Sequence, residues 1–346
     1  MNEKKAGIVT LYASQNFGAF LQSFAMQSVL QRLGYKVQFI KYAGLDIHEL
    51  IFMVKTKNVK LAFFRVKQYR KYLFSRKLLN IAKRRYRNEH LDLFVVGSDT
   101  LWDVQNPTIH ATEYYLGKGL NSTRVVAYAP SANGTSVDKF CDVYHEENPF
   151  DSFTAIGVRD KNTSDLVEKI TGTPPTIVLD PTLLLDKSDY PVKEPTQKEK
   201  YILVYGYSFT EEEKRAIQIE ANKLKAKTIS IGLLNSWCDE NVVATVPEFL
   251  GYIKNAECIF TGTFHGTIFS MIMEKRFVTY ARNNYKVLDL LGKLEMEERN
   301  GSPDIKHSSE LVEKEIDYEA LHRRVLMLRK ESREFLKDAV RNIESL

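Results

Sequence analysis

The stretch from residue 6 to residue 42, "AGIVTLYASQNFGAFLQSFAMQSVLQRLGYKVQFIKY", holds three patterns in succession. "AGIVTLY" (6–12) is a short apolar run of strand length, and "SQNFGA" (14–19) is a polar turn. Phe20, Leu21, Phe24, Val29, Leu30 and Leu33 then lie near one helical face. Gly34 suits the left-handed position that ends a helix, and "KVQFIKY" (36–42) is the next strand. Strand, helix and strand in this order predict a parallel sheet covered by helices. Lys4 and Lys5 ahead of an apolar run imitate a signal peptide. The run is short and meets Gln15, Asn16 and Gly18 instead of a small-residue cleavage site, so a first strand is the better reading.

The same grammar recurs downstream. "LDLFVVGSD" (91–99) and "TRVVAYAPSANG" (123–134) are apolar strands running into small polar loops. A strand to Val158 precedes Arg159-Asp160 and a helix from about Thr163 to Gly172. "PPTIVLDPTLLL" (174–185) is a further strand, broken at Pro181. Polar residues thus gather at the C-terminal ends of strands, where open α/β sheets bind ligands. "DKSDYPVKEPTQKEK" (186–200) is a linker, after which the alternation restarts. Strands are expected at 201–209, 227–233 and 256–263. Helices are expected after Thr210 as N-cap and over 247–255, with a long charged helix from about Ser308 to Leu346. At roughly 150 residues per domain, 346 residues divide into two α/β domains, 1–190 and 191–346, with a cleft between them and a basic helical insert at 50–90.

The net charge of +5 conceals an asymmetry. Residues 55–87 carry 13 Lys/Arg and no Asp/Glu, leaving −8 for the rest of the chain. The tract interleaves those cations with Phe63, Phe64, Tyr69, Tyr72, Leu73, Phe74, Leu78 and Leu79 at helical spacing. Such amphipathic helices fit an anionic membrane surface, nucleic-acid phosphates, or a helical pair with a solvated basic face. No run of 18 apolar residues predicts a membrane-spanning helix. Cys141, Cys238 and Cys258 are far apart and odd in number, which implies neither a disulfide framework nor a zinc site and fits a reducing, cytosolic setting.

Chemistry concentrates at "AECIFTGTFHGTIFS" (256–270). A strand ending near Thr263 and a helix beginning after His265 aim the first N–H groups of that helix, at Gly266 and Thr267, toward one point. Such a terminus favours an anion. Gly266 lacks the Cβ that would hold a ligand away, and an imidazole beside a bound anion can exchange a proton near neutral pH. The bland alternatives are a capping or a core histidine.

With "PEFLGYIKNAECIF" before it, "TGTFHGTIFSMIMEKRFVTY" resembles the polysaccharide pyruvyl transferase family, which carries a Ser-Phe-His-Gly signature. Other islands fit in order from about residue 7 to 300: Asn16-Phe17-Gly18-Ala19 with Leu21-Gln22, Gly97-Ser98-Asp99 with Trp102, Tyr128-Ala129-Pro130-Ser131, Val158-Arg159-Asp160, and Leu179-Asp180-Pro181-Thr182. Each island is weak alone, and their common order makes the signal.

The resemblance implies two Rossmann-like domains arranged as in glycosyltransferase B folds. It implies transfer of pyruvate from phosphoenolpyruvate, as co-substrate, to two hydroxyls of a sugar of a surface polysaccharide or its lipid-linked precursor, giving a cyclic ketal. No metal or further cofactor is implied, and the setting is the cytoplasm or the inner membrane face. His265 matches the signature histidine as acid/base, and Asp99 is a candidate base. Arg159 matches the family's donor-side arginine, joined by Thr263, Phe264, Gly266 and Thr267. Asn16, Gly18, Ser98, Trp102 and Ser131 are the acceptor-side candidates, Trp102 being equally suited to a core. Asp180 is read as structural, and Arg282 and Arg299 are lesser cation candidates. Departures from the family pattern fall at Thr100, Asp103, Gly262, Thr263 and Arg276. The rival functions are a nucleotide-sugar glycosyltransferase on the same fold and a non-enzymatic module binding anionic lipid or nucleic acid through 55–87.

Overall fold

The computed structural model describes residues 3–42, 56–106, 112–302 and 304–341. Two wholly parallel sheets organise them. The first has seven strands, β1 (Lys5–Val9), β2 (Lys36–Lys41), β3 (Ile81–Arg85), β4 (Leu93–Val96), β5 (Val125–Tyr128), β6 (Ala155–Val158) and β7 (Thr176–Ile177), in the order β3-β2-β1-β4-β5-β6-β7. The second has five, β8 (Tyr201–Tyr205), β9 (Lys227–Ile231), β10 (Glu240–Val242), β11 (Cys258–Thr261) and β12 (Phe277–Thr279), in the order β10-β9-β8-β11-β12. In each sheet the strand order reverses beside the first strand, between β1 and β4 and between β8 and β11. Those two points are where such sheets open a crevice for ligands.

Helices α1 (Phe17–Arg32), α2 (Val59–Ser75), α3 (Val137–Tyr144) and α4 (Lys161–Thr171) accompany the first sheet, and α5 (Glu211–Leu224), α6 (Val246–Asn255), α7 (Phe264–Ile272), α8 (Tyr285–Lys293) and α9 (Ile305–Glu313) the second. Their ends follow local chemistry. Thr210 and Thr245 form reciprocal capping boxes with Glu213 and Glu248 at the starts of α5 and α6. Gly34 (φ +88°) and Gly172 (φ +74°) close α1 and α4 in the left-handed region.

Three expectations change. The 174–185 segment pairs only through Thr176 and Ile177, because Asp180 caps a short 3₁₀ turn that starts at Pro181. The second half of the basic tract is the edge strand β3, not a helix, and its exposed Lys83, Arg84 and Arg85 discourage further strand pairing. The charged C-terminus is two helices: Asp317 accepts a hydrogen bond from the Ala320 N–H at the start of α10 (Tyr318–Arg341). Residues 50–55 of the basic insert and 342–346 lie outside the described residues.

Helix α1 is buried on nearly every side because it serves both units. Phe17 stacks on Phe249 of α6 with ring centroids 4.1 Å apart and also meets Tyr205 and Tyr72. One apolar core therefore runs from Ile8 and Leu93 through Phe17 to Ile259 and Phe277. The long α10 crosses back to the first unit. Its Ser332 Oγ accepts from Leu179 N–H at 2.9 Å, and Arg329 donates to the carbonyls of Leu183 and Leu185. No described helix is long and apolar enough to cross a membrane.

Removing the ring at position 17 therefore loosens the joint between the sheets. Phe17→Ala is expected to cost about 3–5 kcal/mol, seen as a lower urea midpoint. A midpoint within experimental scatter of the parent would show that the stack does not hold the units together.

Candidate active site between the two sheets

The C-terminal ends of the central strands of both sheets converge. After β6, Arg159 is buried at 4% exposure and donates from Nη1 to Asp180 Oδ2 at 2.8 Å. Its Nη2 lies 3.9 Å from Asp99 Oδ1, at the end of β4. Its guanidinium carbon stands 4.4 Å from the centre of the Phe264 ring, a cation–π contact supplied by the second unit. His265 follows on α7, 7% exposed, with Nε2 3.4 Å from the same Asp180 Oδ2. The other Asp180 oxygen accepts from Thr182 N–H at 3.0 Å and Thr182 Oγ1 at 2.6 Å.

These neighbours decide the protonation state of Asp180. Burial alone would raise its carboxyl; His265, Arg159 and the Thr182 hydroxyl outweigh that and hold it well below the usual carboxylate range. For Arg159, burial works against the charge and the carboxylates of Asp180, Asp99 and Asp160 restore it, so its guanidinium is raised further. The site is a dry, charged constellation in which an ionised carboxylate steadies a guanidinium and an imidazole.

Gly18, near the start of α1, closes the other side of the imidazole. A Cβ at position 18 would stand 2.0 Å from His265 Nδ1, so only glycine lets the two units meet here. Asn16 caps α1, its Oδ1 accepting from Gly18 and Ala19 N–H, while its Nδ2 donates to Tyr207 Oη across the joint.

The corner around His265 is built differently from the expectation. Thr263 caps α7, its Oγ1 accepting from Gly266 N–H at 3.0 Å, and Thr267 N–H bonds to the Thr263 carbonyl. The N–H groups expected to face an anion at Gly266 and Thr267 are thus occupied; those of Phe264 and His265 have no partner among the described residues. Gly266 is required for packing, since a Cβ there would lie 2.2 Å from Thr261 Oγ1. Thr267 is fully buried and shares a hydrogen bond with Thr279.

Several acceptor-side candidates are scaffold in this arrangement. Trp102 is completely buried, donates from Nε1 to the Tyr115 carbonyl and packs on Phe150, so it offers no face to a sugar. Ser98 donates to Gln22 Oε1 at 2.7 Å, and Ser131 Oγ accepts from Asn133 N–H. Both serines are fully buried and shape the loops after β4 and β5. Asp99 stays at the site with φ +79°, a backbone conformation unusual outside glycine. Arg282 pairs with Glu213, and Arg299 is fully buried on the carbonyls of Leu311, Lys314 and Glu315.

The sequence reading missed Asp180 as a site residue, although its Asp-Pro-Thr island was in view, and it missed Lys286. Half-buried near the start of α8, Lys286 forms no hydrogen bond or ion pair among the described residues. Burial pushes its ammonium down, as does the neighbouring Arg159 charge, against the pull of Asp99, Asp160 and Asp103. Its position just past β12 was the available signal. Lys286, Arg159, Asp160, Asp180, Phe264 and Lys293 line a cavity of about 160 Å³. Three buried polar atoms at this point have no hydrogen-bond partner among the described residues: Arg159 Nε, Asp160 Oδ2 and His265 Nε2. Unpartnered buried groups are costly, and two of these three belong to groups that suit an anion. Buried Cys238 and Cys258 have thiols pushed up by burial, the first to about 12, so neither is a ready nucleophile. No group of residues suited to hold a metal ion occurs among the described residues.

Because the folded value of Asp180 is depressed, the stability it contributes is fully present above the unfolded value of about 4 and declines as pH falls below it. Asp180→Asn should cost about 3–5 kcal/mol at neutral pH by stranding Arg159, and should flatten the stability profile in the acid range below that value. An unchanged acid limb would show that this carboxylate is not the one held low.

The fold resembles that of UDP-N-acetylglucosamine 2-epimerase from Neisseria meningitidis, solved bound to UDP-GlcNAc. The match has TM-score 0.52 at 8% identity and covers 97% of this chain and 99% of that one. The epimerase from Rickettsia bellii gives TM-score 0.50 at 9% identity, covering 99% and 98%. Likeness at this identity speaks for the fold alone, two Rossmann-like units of the glycosyltransferase B kind. No curated protein matches the chain. The family model for polysaccharide pyruvyl transferase matches residues 16–284, a span that opens on the Asn16 cap and encloses Asp99, Arg159, Asp180 and His265. The chain belongs to the polysaccharide pyruvyl transferase family.

Proposed function

We propose that this transferase moves pyruvate from phosphoenolpyruvate onto two hydroxyls of one sugar, in a cell-surface polysaccharide or its lipid-linked precursor, forming a cyclic ketal in the cytoplasm. The observation that carries the proposal is the meeting of cations at one small cavity: Arg159, whose buried Nε has no hydrogen-bond partner among the described residues, and the Lys286 ammonium, with His265 beside them on the shared Asp180 carboxylate. The donor carries a carboxylate and a phosphate on one carbon, and a buried guanidinium with its Nε free among the described residues, beside an ammonium, suits that pair.

Protonation of the donor's methylene carbon generates an oxocarbenium-like centre, to which a sugar hydroxyl adds. The carbon–oxygen bond to phosphate then breaks and a second hydroxyl closes the ring. One hydroxyl proton replaces the proton spent on the methylene, and the other leaves with phosphate. His265, steadied by Asp180 and seated on Gly18, is the acid/base in this scheme. Asp99, 3.9 Å from Arg159, accepts from a sugar hydroxyl in the same scheme. Cations around the departing phosphate stabilise the charge that develops there.

Two substitutions separate these roles, read as phosphate release from phosphoenolpyruvate in the presence of candidate oligosaccharide or lipid-linked acceptors. His265→Ala should lower acceptor-dependent release by about 10²- to 10⁴-fold, and release that survives the change removes the imidazole from the chemistry. Lys286→Met should raise the donor KM by roughly tenfold or more, the worth of a lost charged hydrogen bond, with a smaller effect on kcat. An unaltered KM would take Lys286 out of the donor site.

A further inference from the structure

The outer face of α2 takes no part in the proposed transfer. Its inner face is fixed to the second unit. Gln68 donates to the Ala244 carbonyl at 2.8 Å and accepts from Ala244 N–H at 3.0 Å, while Ser75 Oγ accepts from Val246 N–H. Lys71 pairs with Glu248, and the Tyr72 ring lies 5.1 Å from that of Phe17. The helix cannot roll to hide its other side without breaking these bonds. On that other side stand Val59, Phe63, Val66, Leu73 and Phe74, with Val59 81%, Phe63 62% and Phe74 63% exposed. Interleaved with them are the exposed cations Lys60, Lys67, Arg70 and Lys77. Lys67 and Lys77 lie over the rings of Phe63 and Phe74 at 4.3 and 4.7 Å.

We infer that this face docks on an anionic lipid bilayer. Apolar side chains for the acyl boundary and cations for the headgroups occur on one face of one helix, which is the pattern of interfacial helices. The charge chooses among occupants. Residues 55–87 carry no acidic side chain, so a second copy of the chain meeting this face symmetrically would set cations against cations. A nucleic acid would satisfy the cations and leave Val59, Val66 and Leu73 against phosphates and water. A bilayer of anionic lipid satisfies both sets. The edge strand β3 adds exposed Lys83, Arg84 and Arg85 to the same basic tract.

The test is co-sedimentation of the full chain with vesicles of phosphatidylcholine, with and without phosphatidylglycerol. Such vesicles contain no acceptor sugar, so the result stands whether or not the chain uses phosphoenolpyruvate. Binding is expected only with the anionic lipid and should weaken with added salt. Phe63→Ser with Phe74→Ser should reduce it at least tenfold, while Lys67→Glu with Lys77→Glu should reduce it by on the order of fivefold per cation removed. Both variants should keep the parent circular dichroism and phosphate-release rate, since these side chains face solvent. Absence of binding, equal binding to neutral vesicles, or binding untouched by both variants overturns the inference. Loss, in the variants, of a concentration-dependent dimer or of oligonucleotide binding, with vesicles ignored throughout, would give the face to those partners instead.

Discussion

The Asp180 carboxylate is the contact on which the rest of the site depends. A buried carboxylate is expensive unless nearly every lone pair is met. Here Thr182 meets one oxygen through its N–H and hydroxyl, while Arg159 donates to the other, with His265 close by. Those partners come from the end of β6, from the turn after β7 and from the first turn of α7. Satisfying one charge therefore fixes two units against each other. Gly18 completes the arrangement sterically, because the imidazole occupies the space that any side chain at that position would need. Around this polar centre the joint is apolar and aromatic, with Phe17 stacked on Phe249 and Tyr205 beside them.

How much of this was legible in the sequence depends on the range of the interaction concerned. The β1-α1-β2 opening, the helix started by Thr210, the helix read from about Thr163 (which the Asp160 cap starts at Lys161), and the strand before Thr263 are set by local periodicity and capping, and they were readable. The strand β3 was hidden because only Ile81 and Ala82 are even partly buried before three exposed charged residues, too short a pattern to mark a strand. In the 174–185 run the break at Pro181 was readable, but not that pairing would stop at Ile177, ahead of the Asp180 cap on Thr182.

The site shows the same division. His265 was singled out by its place at a strand-to-helix corner and Arg159 by its match to the family's arginine, and the structure brings both to Asp180. Asp180 looked structural because nothing within its own segment reveals that its partners lie 21 and 85 residues away. Trp102 pointed the other way: an indole close to a polar loop fits a sugar or a core equally well, and the Phe150 contact and the bond to the Tyr115 carbonyl settle it as core. The glycine at 266 was read as making room for a ligand, but what approaches it is Thr261 and Thr263 of its own corner.

Positive charge is divided between two places. A few cations, Arg159, Lys286 and Lys293, lie at the cavity among carboxylates, Arg159 paired with Asp180 and Lys293 with Asp289. The larger group on α2 and β3 faces outward without acidic partners of its own tract. Gln68 and Ser75 fasten α2 to the segment that begins α6. The most direct measurement of the central claim is calorimetric titration of the protein with phosphoenolpyruvate, alongside Arg159→Met and in competition with inorganic phosphate and UDP-GlcNAc. The account predicts binding of phosphoenolpyruvate that phosphate competes for, that UDP-GlcNAc leaves unchanged, and that the Arg159 substitution abolishes. Binding of UDP-GlcNAc with none of phosphoenolpyruvate would contradict it.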